Sequence, residues 1–230
     1  SARPQLGTTW LIADGQAGRQ DQLDAVSHWF YFLSVDLASD GDVYAQLAAS
    51  TYDMVVMDPI FTEENSTDEA QAVRDLVTTL HDAPHPKLVL AYIDIGQAED
   101  FRTYWQEGWG VGTPEWIVGT DPDGWEGNYP VAYWYDEWRQ IWLSETGYLQ
   151  AILDAGFDGV YLDWVEAYTD ANVVAKAVSD GVDARQEMIW WVEDIAEFGR
   201  VEQPDFIVIA QNAAELGADD DYLAVIDAIA

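Results

Sequence analysis

The segment "GVYLDWVEAY" sets one carboxylate, Asp163, among Val160, Tyr161, Leu162 and Trp164, with Glu166 three positions on. A lone carboxylate inside an apolar run is costly to bury unless it is paired, hydrogen-bonded or facing a cavity. Other polar groups close apolar runs in the same way: Asp58 ends "DMVVMD", Asp94 lies in "KLVLAYIDI", and Gln211 and Asn212 follow "FIVIA". The other reactive side chains are few. There is no cysteine, so no disulfide framework exists. His81 and His85 stand four apart, but Pro84 and Pro86 break any helix that would align them, so both read as solvated turn residues. Asp219, Asp220 and Asp221 read as a loop or helix start rather than a hard-cation site. No serine sits in a nucleophile elbow. Carboxylates are the main catalytic candidates, and the sequence calls for no metal and no cofactor.

Carboxylate pairs among aromatic side chains suit glycoside hydrolysis. One carboxyl protonates the leaving oxygen, while the other attacks the sugar or activates water. The segment from Tyr104 to Trp138 carries Trp105, Trp109, Trp116, Trp125, Tyr129, Tyr133, Trp134 and Tyr135. Most such residues pack in a core, so only two or three are expected to stack on a ligand. Gly119, Gly124 and Gly127, with Pro122 and Pro130, make part of this segment a loop.

Short apolar runs at 29–35, 53–58, 87–95, 115–120, 159–164, 206–211 and 225–230 predict strands. Several are apolar continuously, as in parallel strands covered on both faces. Helical patterns alternate with them. The segment 66–83 opens on a capping-box spacing, Ser66 and Glu69. The segment 136–156 predicts one helix ended by Gly156, and 184–199 another ended by Gly199. A doubly wound sheet and a (β/α)8 barrel both fit this alternation. No Gly-rich phosphate loop follows a strand, and polar groups recur at several strand ends. Both observations favour a TIM-type barrel.

The charge bounds the partners. Nine Lys and Arg oppose 43 Asp and Glu, a net charge of -34. Such a surface repels nucleic acid and anionic membranes. The acids are spread along the chain, which favours adaptation to high salt over a single cation-binding patch. The 12 Trp, 12 Tyr and 7 Phe need burial or ligands, which argues against disorder. No apolar run is long enough to span a bilayer.

Five ordered motifs carry a resemblance: "AYIDIGQAEDFRTYW" (91–105), "WEGNYPVAYWYDEW" (125–138), "AGFDGVYLDWVEAY" (155–168), "FIVIAQNAAEL" (206–216) and "YLAVIDAIA" (222–230). They are similar to the motifs of glycoside hydrolase family 114, the endo-α-1,4-polygalactosaminidases and their bacterial and archaeal relatives. The resemblance runs from about Phe30 to the C-terminus. It implies a (β/α)8 barrel, one domain over residues 1–230, with 1–28 as an N-terminal extension outside the family pattern. It also implies hydrolysis of α-1,4-linked, partly deacetylated galactosamine polymers, which are cationic, by an Asp and a Glu.

By motif, the resemblance places a catalytic carboxylate on Asp163, the acid of "GxAEDxR" on Glu99 beside Arg102, and a strand-end acid on Asp58; Glu166, three positions past Asp163, is a further candidate from the residues themselves. Glu99 is otherwise a salt-bridge partner of Arg102 in a surface-type pair. Substrate contacts are expected from Tyr92, Asp94, Trp105, Trp125, Asn128, Tyr133, Trp134, Trp164, Tyr168, Gln211 and Asn212. Asp94 is a departure, since the family often has a small polar residue there. A second departure concerns closure. The pattern puts a Glu-bearing strand end just past "IDAIA", so either the barrel is incomplete here or "TTWLIADG" (8–15) closes it and brings Asp14 to the site. The expected protein is a secreted or cell-surface monomer from a high-salt environment. The rival is a non-catalytic glycan-binding barrel that lacks the second acid. A nucleotide-dependent enzyme is disfavoured.

Overall fold

A computed structural model describes residues 16–33, 41–59 and 69–230. Six parallel strands form the main sheet: β1 (Trp29–Phe32), β2 (Met54–Met57), β3 (Leu88–Asp94), β6 (Gly159–Asp163), β7 (Ile207–Ala210) and β8 (Ala228–Ile229). They pair in chain order, β1-β2-β3-β6-β7-β8, and the sheet curls into a half-barrel. Its edges are β1 and β8, which do not pair with each other. The barrel is thus incomplete among the described residues. The run 8–15 and Asp14 lie outside those residues, and so does Ser66 of the expected capping box.

Side chains alternate along each strand. Met54, Val56, Leu90, Tyr161, Ile207 and Ile209 make one small cluster on the inner face, with Leu23 and Val26 packed against it. Val55, Met57, Val89, Ala91, Val160, Leu162 and Val208 face outward into the larger core, shared with the helices. These are α1 (Gln16–Asp24), α2 (Gly41–Ala49), α3 (Glu69–His81), α4 (Asp136–Leu143), α5 (Tyr148–Asp154), α6 (Ala171–Asp180), α7 (Ala184–Glu202) and α8 (Asp220–Leu223). Burial on both faces is why the strands read as continuous apolar runs.

Acids cap the later helices. Asp170 accepts from the backbone N–H groups of Asn172 and Val173, Asp183 from Gln186, and Asp219 from Asp221. The triple aspartate is therefore a helix start. Helix α1 is tied to the sheet. Arg19 Nε on α1 donates to Asp227 Oδ1 at 2.8 Å, and Arg200 Nη2 on α7 donates to Asp227 Oδ2 at 2.7 Å.

Some expectations need correction. Residues 115–120 form no strand; Ile117 makes one isolated bridge to Val131 in a buried loop. The segment 136–156 is two helices, broken after Leu143 by a turn so tight that a Cβ on Gly147 would lie 2.5 Å from Trp142 O. The helix ending at Gly199 runs on to Glu202. His81 and His85 are not merely solvated. His81 Nε2 lies 2.8 Å from Asp158 Oδ2, and His85 Nε2 lies 2.8 Å from Asp53 Oδ1.

Candidate functional site

The inner-face alternation continues past the strand ends, and there it changes chemistry. On β2, Met54 and Val56 are followed two residues on by Asp58. On β3, Leu88 and Leu90 are followed by Tyr92 and Asp94. On β6, Gly159 and Tyr161 precede Asp163, and on β7, Ile207 and Ile209 precede Gln211. Apolar residues fill the lower part of the half-barrel, while Tyr31, Asp58, Tyr92, Asp94, Asp163 and Gln211 line a cleft of about 950 Å³ above it. This is the face on which barrels of this type place their sites.

Asp163 stands in the middle of this row. Its Oδ1 accepts from Gln211 Nε2 at 2.8 Å and from the backbone N–H of Trp164 at 2.8 Å. Its Oδ2 accepts from the Tyr92 hydroxyl. Burial and the neighbouring Asp163 both raise the Tyr92 phenol, so it remains a donor. Register pairs Asp163 with Asp94 on the adjacent strand.

The next acids come from a two-stranded antiparallel ribbon, β4 (Gln97–Glu99) with β5 (Asn128–Pro130). Glu99 accepts from Arg102 Nε at 2.7 Å, while Arg102 Nη1 and Nη2 fork onto Asp58 at 2.8 and 2.7 Å. The expected surface-type pair is therefore a buried one, with Glu99 8%, Arg102 4% and Asp58 6% exposed. Burial pushes the Glu99 carboxyl up, and Arg102 pulls against that. Gln97 Nε2 donates to Asp121 at 2.7 Å, and Asn128 Nδ2 donates to Gln97 at 3.0 Å. Asp121 in turn accepts the backbone N–H groups of Asp123 and Trp125. This chain of bonds holds a rim loop on which the Trp125 ring is 72% exposed.

Across the cleft, Glu166 follows β6 on a 3-10 turn, Val165–Thr169. Its Oε1 accepts from Asn212 Nδ2 at 3.0 Å, while its buried Oε2 has no partner among the described residues. Burial, with Asp163 nearby, raises its carboxyl. Trp164, Asn212 and Ala213 hold positive φ of 57°, 66° and 51°. Such strain in non-glycine residues collects at functional sites. The Trp164 turn packs so closely on Gly96 that a Cβ there would meet Trp164 O at 2.5 Å.

The structure thus brings together Asp58, Tyr92, Asp94, Glu99, Trp125, Asn128, Asp163, Trp164, Glu166, Gln211 and Asn212. It does not bring Trp105, Tyr133, Trp134 or Tyr168 to the cleft lining. Tyr133 is fully buried and donates to Ala184 O at 2.7 Å. Trp105 stacks on Tyr129 with ring centroids 4.9 Å apart. Trp134 Nε1 donates to Asp180 at 2.9 Å, and the Tyr168 hydroxyl donates to Glu215. Their ring surfaces or polar tips are used in packing. Residues not anticipated also line the cleft: Tyr31, Leu33, Gln97, Phe101, Asp121, Asp123 and Glu126. Tyr31 was legible from the alternation in "WFYFL". The acids of 121–126 carried only a loop signal. Among the described residues, no three His, Cys, Asp or Glu side chains group so as to hold a metal ion, and no helix is long and apolar enough to cross a membrane.

Comparison with known proteins places this geometry. A protein of Deinococcus radiodurans is 37% identical over 211 residues, which is 91% of this chain and 61% of that protein. Aspergillus fumigatus Ega3, solved in complex with galactosamine, superposes with a TM-score of 0.56 at 16% identity, covering 88% of this chain and 65% of Ega3. The glycoside hydrolase domain of PelA from Pseudomonas aeruginosa gives a TM-score of 0.57 at 13% identity, covering 89% and 66%. At these identities the two structures speak for the fold. The chain spans about three-fifths of the Deinococcus protein's length. The family model for glycoside-hydrolase family GH114 matches residues 24–229, a span that holds every strand and cleft residue above, and the chain belongs to that family.

Proposed function

We propose that this protein hydrolyses the glycosidic bonds of a cationic amino-sugar polysaccharide, of the α-1,4-linked, partly deacetylated galactosamine type, with Asp163 as one catalytic carboxylate. The observation that carries the reading is Asp163 itself. It ends a buried strand, accepts three hydrogen bonds that fix its orientation, and faces an open cleft among further acids. Family membership supports hydrolysis, and the solved complex of Ega3 with galactosamine supports an amino sugar. The lining supports a cationic one. It includes Asp58, Asp94, Glu99, Asp121, Asp123, Glu126, Asp163 and Glu166, and no Lys or Arg among the described residues. The exposed Trp125 ring offers a sugar face a stacking surface at the rim. A polymer of this kind is met at or beyond the cell surface, where we place the protein.

The second carboxylate comes from the acids around Asp163. Its separation from Asp163 sets the stereochemistry: about 5–5.5 Å for retention, about 6.5–9.5 Å for inversion. Asp163→Asn tests the reading on partly deacetylated galactosaminan, followed by chain length. Hydrolysis should fall roughly 10²–10⁴-fold while the thermal unfolding curve stays in place. Unchanged hydrolysis would remove Asp163 from the chemistry. Saturable binding of oligosaccharide by the unaltered protein, with no shortening of the polymer, would establish a glycan-binding barrel instead.

A further inference from the structure

Asp94 occupies a place where a charged carboxylate is poorly accommodated. It ends β3 in register with Asp163 on β6, so both side chains leave the same inner face of adjacent strands, about 4.8 Å apart at the backbone. It is only 3% exposed, yet it lines the cleft. Its Oδ1 is fixed by the backbone N–H groups of Gly96 at 3.0 Å and Gln97 at 2.8 Å. Its Oδ2 has no hydrogen-bond donor among the described residues.

The groups facing it do not favour a negative charge. Glu99 approaches from β4 and Asp163 from β6, both acids. The phenols of Tyr92, on the same strand, and Tyr104, just after β4, face it as well. The guanidinium of Arg102 is forked onto Asp58 and bonded to Glu99, one step behind. Burial, Glu99 and Asp163, in that order, drive the Asp94 carboxyl well above the usual carboxylate range, against the two backbone donors. Two carboxyls sharing a site commonly hold a proton between them.

We propose that Asp94 is a neutral carboxylic acid that donates its Oδ2 hydrogen into the cleft and positions the sugar oxygen lying between it and Asp163. A buried neutral carboxyl can serve as a hydrogen-bond donor in this way. The inference rests on the glycosidase reading of the cleft, and it adds a specificity. This side of the cleft takes an oxygen acceptor, a hydroxyl or the bridging oxygen, and the ammonium group of the amino sugar lies elsewhere along the acidic lining. Asp94 acts as a substrate-positioning donor; no bond to it forms or breaks.

The asparagine isostere separates the alternatives, because its Oδ1 still accepts from Gly96 and Gln97 while its Nδ2 still donates. Asp94→Ala, which removes the donor, should lower kcat/KM about tenfold, and Asp94→Asn should restore part of that loss. Asp94→Asn should also lose the alkaline fall of kcat/KM expected of the unaltered protein as Asp94 ionises. A KM raised about tenfold or more across all pH values, with an unchanged profile, would make Asp94 an anionic anchor and overturn the proposal. A second measurement needs no variant and no substrate. Carboxyl NMR of the full chain labelled at aspartate should show a protonated aspartyl carboxyl at pH 7; finding every one ionised overturns the proposal. If instead Asp163→Asn leaves hydrolysis intact, the glycosidase role of Asp163 fails, while the NMR result still decides the state of Asp94.

Discussion

Arg102 holds the acidic wall of the cleft together. One guanidinium forks onto Asp58 and bonds Glu99, and all three residues are nearly sealed from solvent. Removing one partner of a buried ion pair leaves an uncompensated charge, and here it would leave two carboxylates. Arg102→Leu should cost about 3–5 kcal/mol, measured by denaturant unfolding. Arg102→Lys should recover only part of this, since an ammonium cannot fork onto Asp58 while bonding Glu99. A loss below about 1 kcal/mol for Arg102→Leu would mean the cluster is weakly coupled to folding. The same bonds occupy both oxygens of Asp58, which makes it a partner for the guanidinium before it is a candidate for chemistry. Asp163 was legible in the sequence because a lone acid closing an apolar run demands an explanation. Tyr133 and Trp105 were not separable from ligand-stacking aromatics, because a ring buried against protein and one stacked on a sugar are drawn from the same residue types.

At the scale of elements, the site depends on β6 lying flush against β7. Gly159 begins β6, and a Cβ there would sit 2.1 Å from Ile207 O, a backbone atom that cannot step aside. Gly159→Ala must therefore push the strands apart and draw Asp163 away from Gln211. The expected loss is about 1–3 kcal/mol, with a fall in hydrolysis beyond what the unfolded fraction explains. A gentler link joins α3 to the turn before β6. His81 at the end of α3 meets Asp158, whose Oδ2 also accepts from Val89 N at 2.7 Å. The bond to Asp158 raises the His81 pKa above its ordinary value of 6.5. The stability it contributes is full below that value and is lost as pH rises through the folded pKa. His81→Gln should thus be less stable than the parent near pH 6 and nearly equal near pH 9, by at most about 1 kcal/mol because the pair is partly screened. A deficit that is constant across pH would assign the effect to packing. The main strands were legible because burial on both faces writes a continuous apolar run. The run at 115–120 misled for the same reason: a buried loop needs apolar side chains as much as a strand does, and only the pairing of Ile117 with Val131 tells them apart. Helix α6 was overlooked, although Asp170 before it and Gly181 after it, at φ 73°, mark both ends.

At the scale of the whole molecule the governing quantity is the net charge of -34. Composition alone makes this charge plain, but composition does not say how the acids divide between cleft and surface. The fold makes the division. Several carboxylates converge on one cleft, while many others lie exposed on helices and loops. The two groups respond oppositely to salt. Exposed acids repel one another over the Debye length, about 30 Å at 0.01 M and about 3 Å at 1 M. The melting temperature should therefore rise across that range as the self-repulsion is screened. Attraction between the acidic cleft and a cationic polymer is screened by the same ions, so kcat/KM measured where the protein stays folded should fall. Opposite slopes would separate a surface suited to salt from a cleft suited to cations. A melting temperature indifferent to salt would show that the dispersed acids impose little strain on the fold. A kcat/KM that rises with salt would show that encounter with the polymer owes nothing to charge, and the cationic substrate would then lose its electrostatic support.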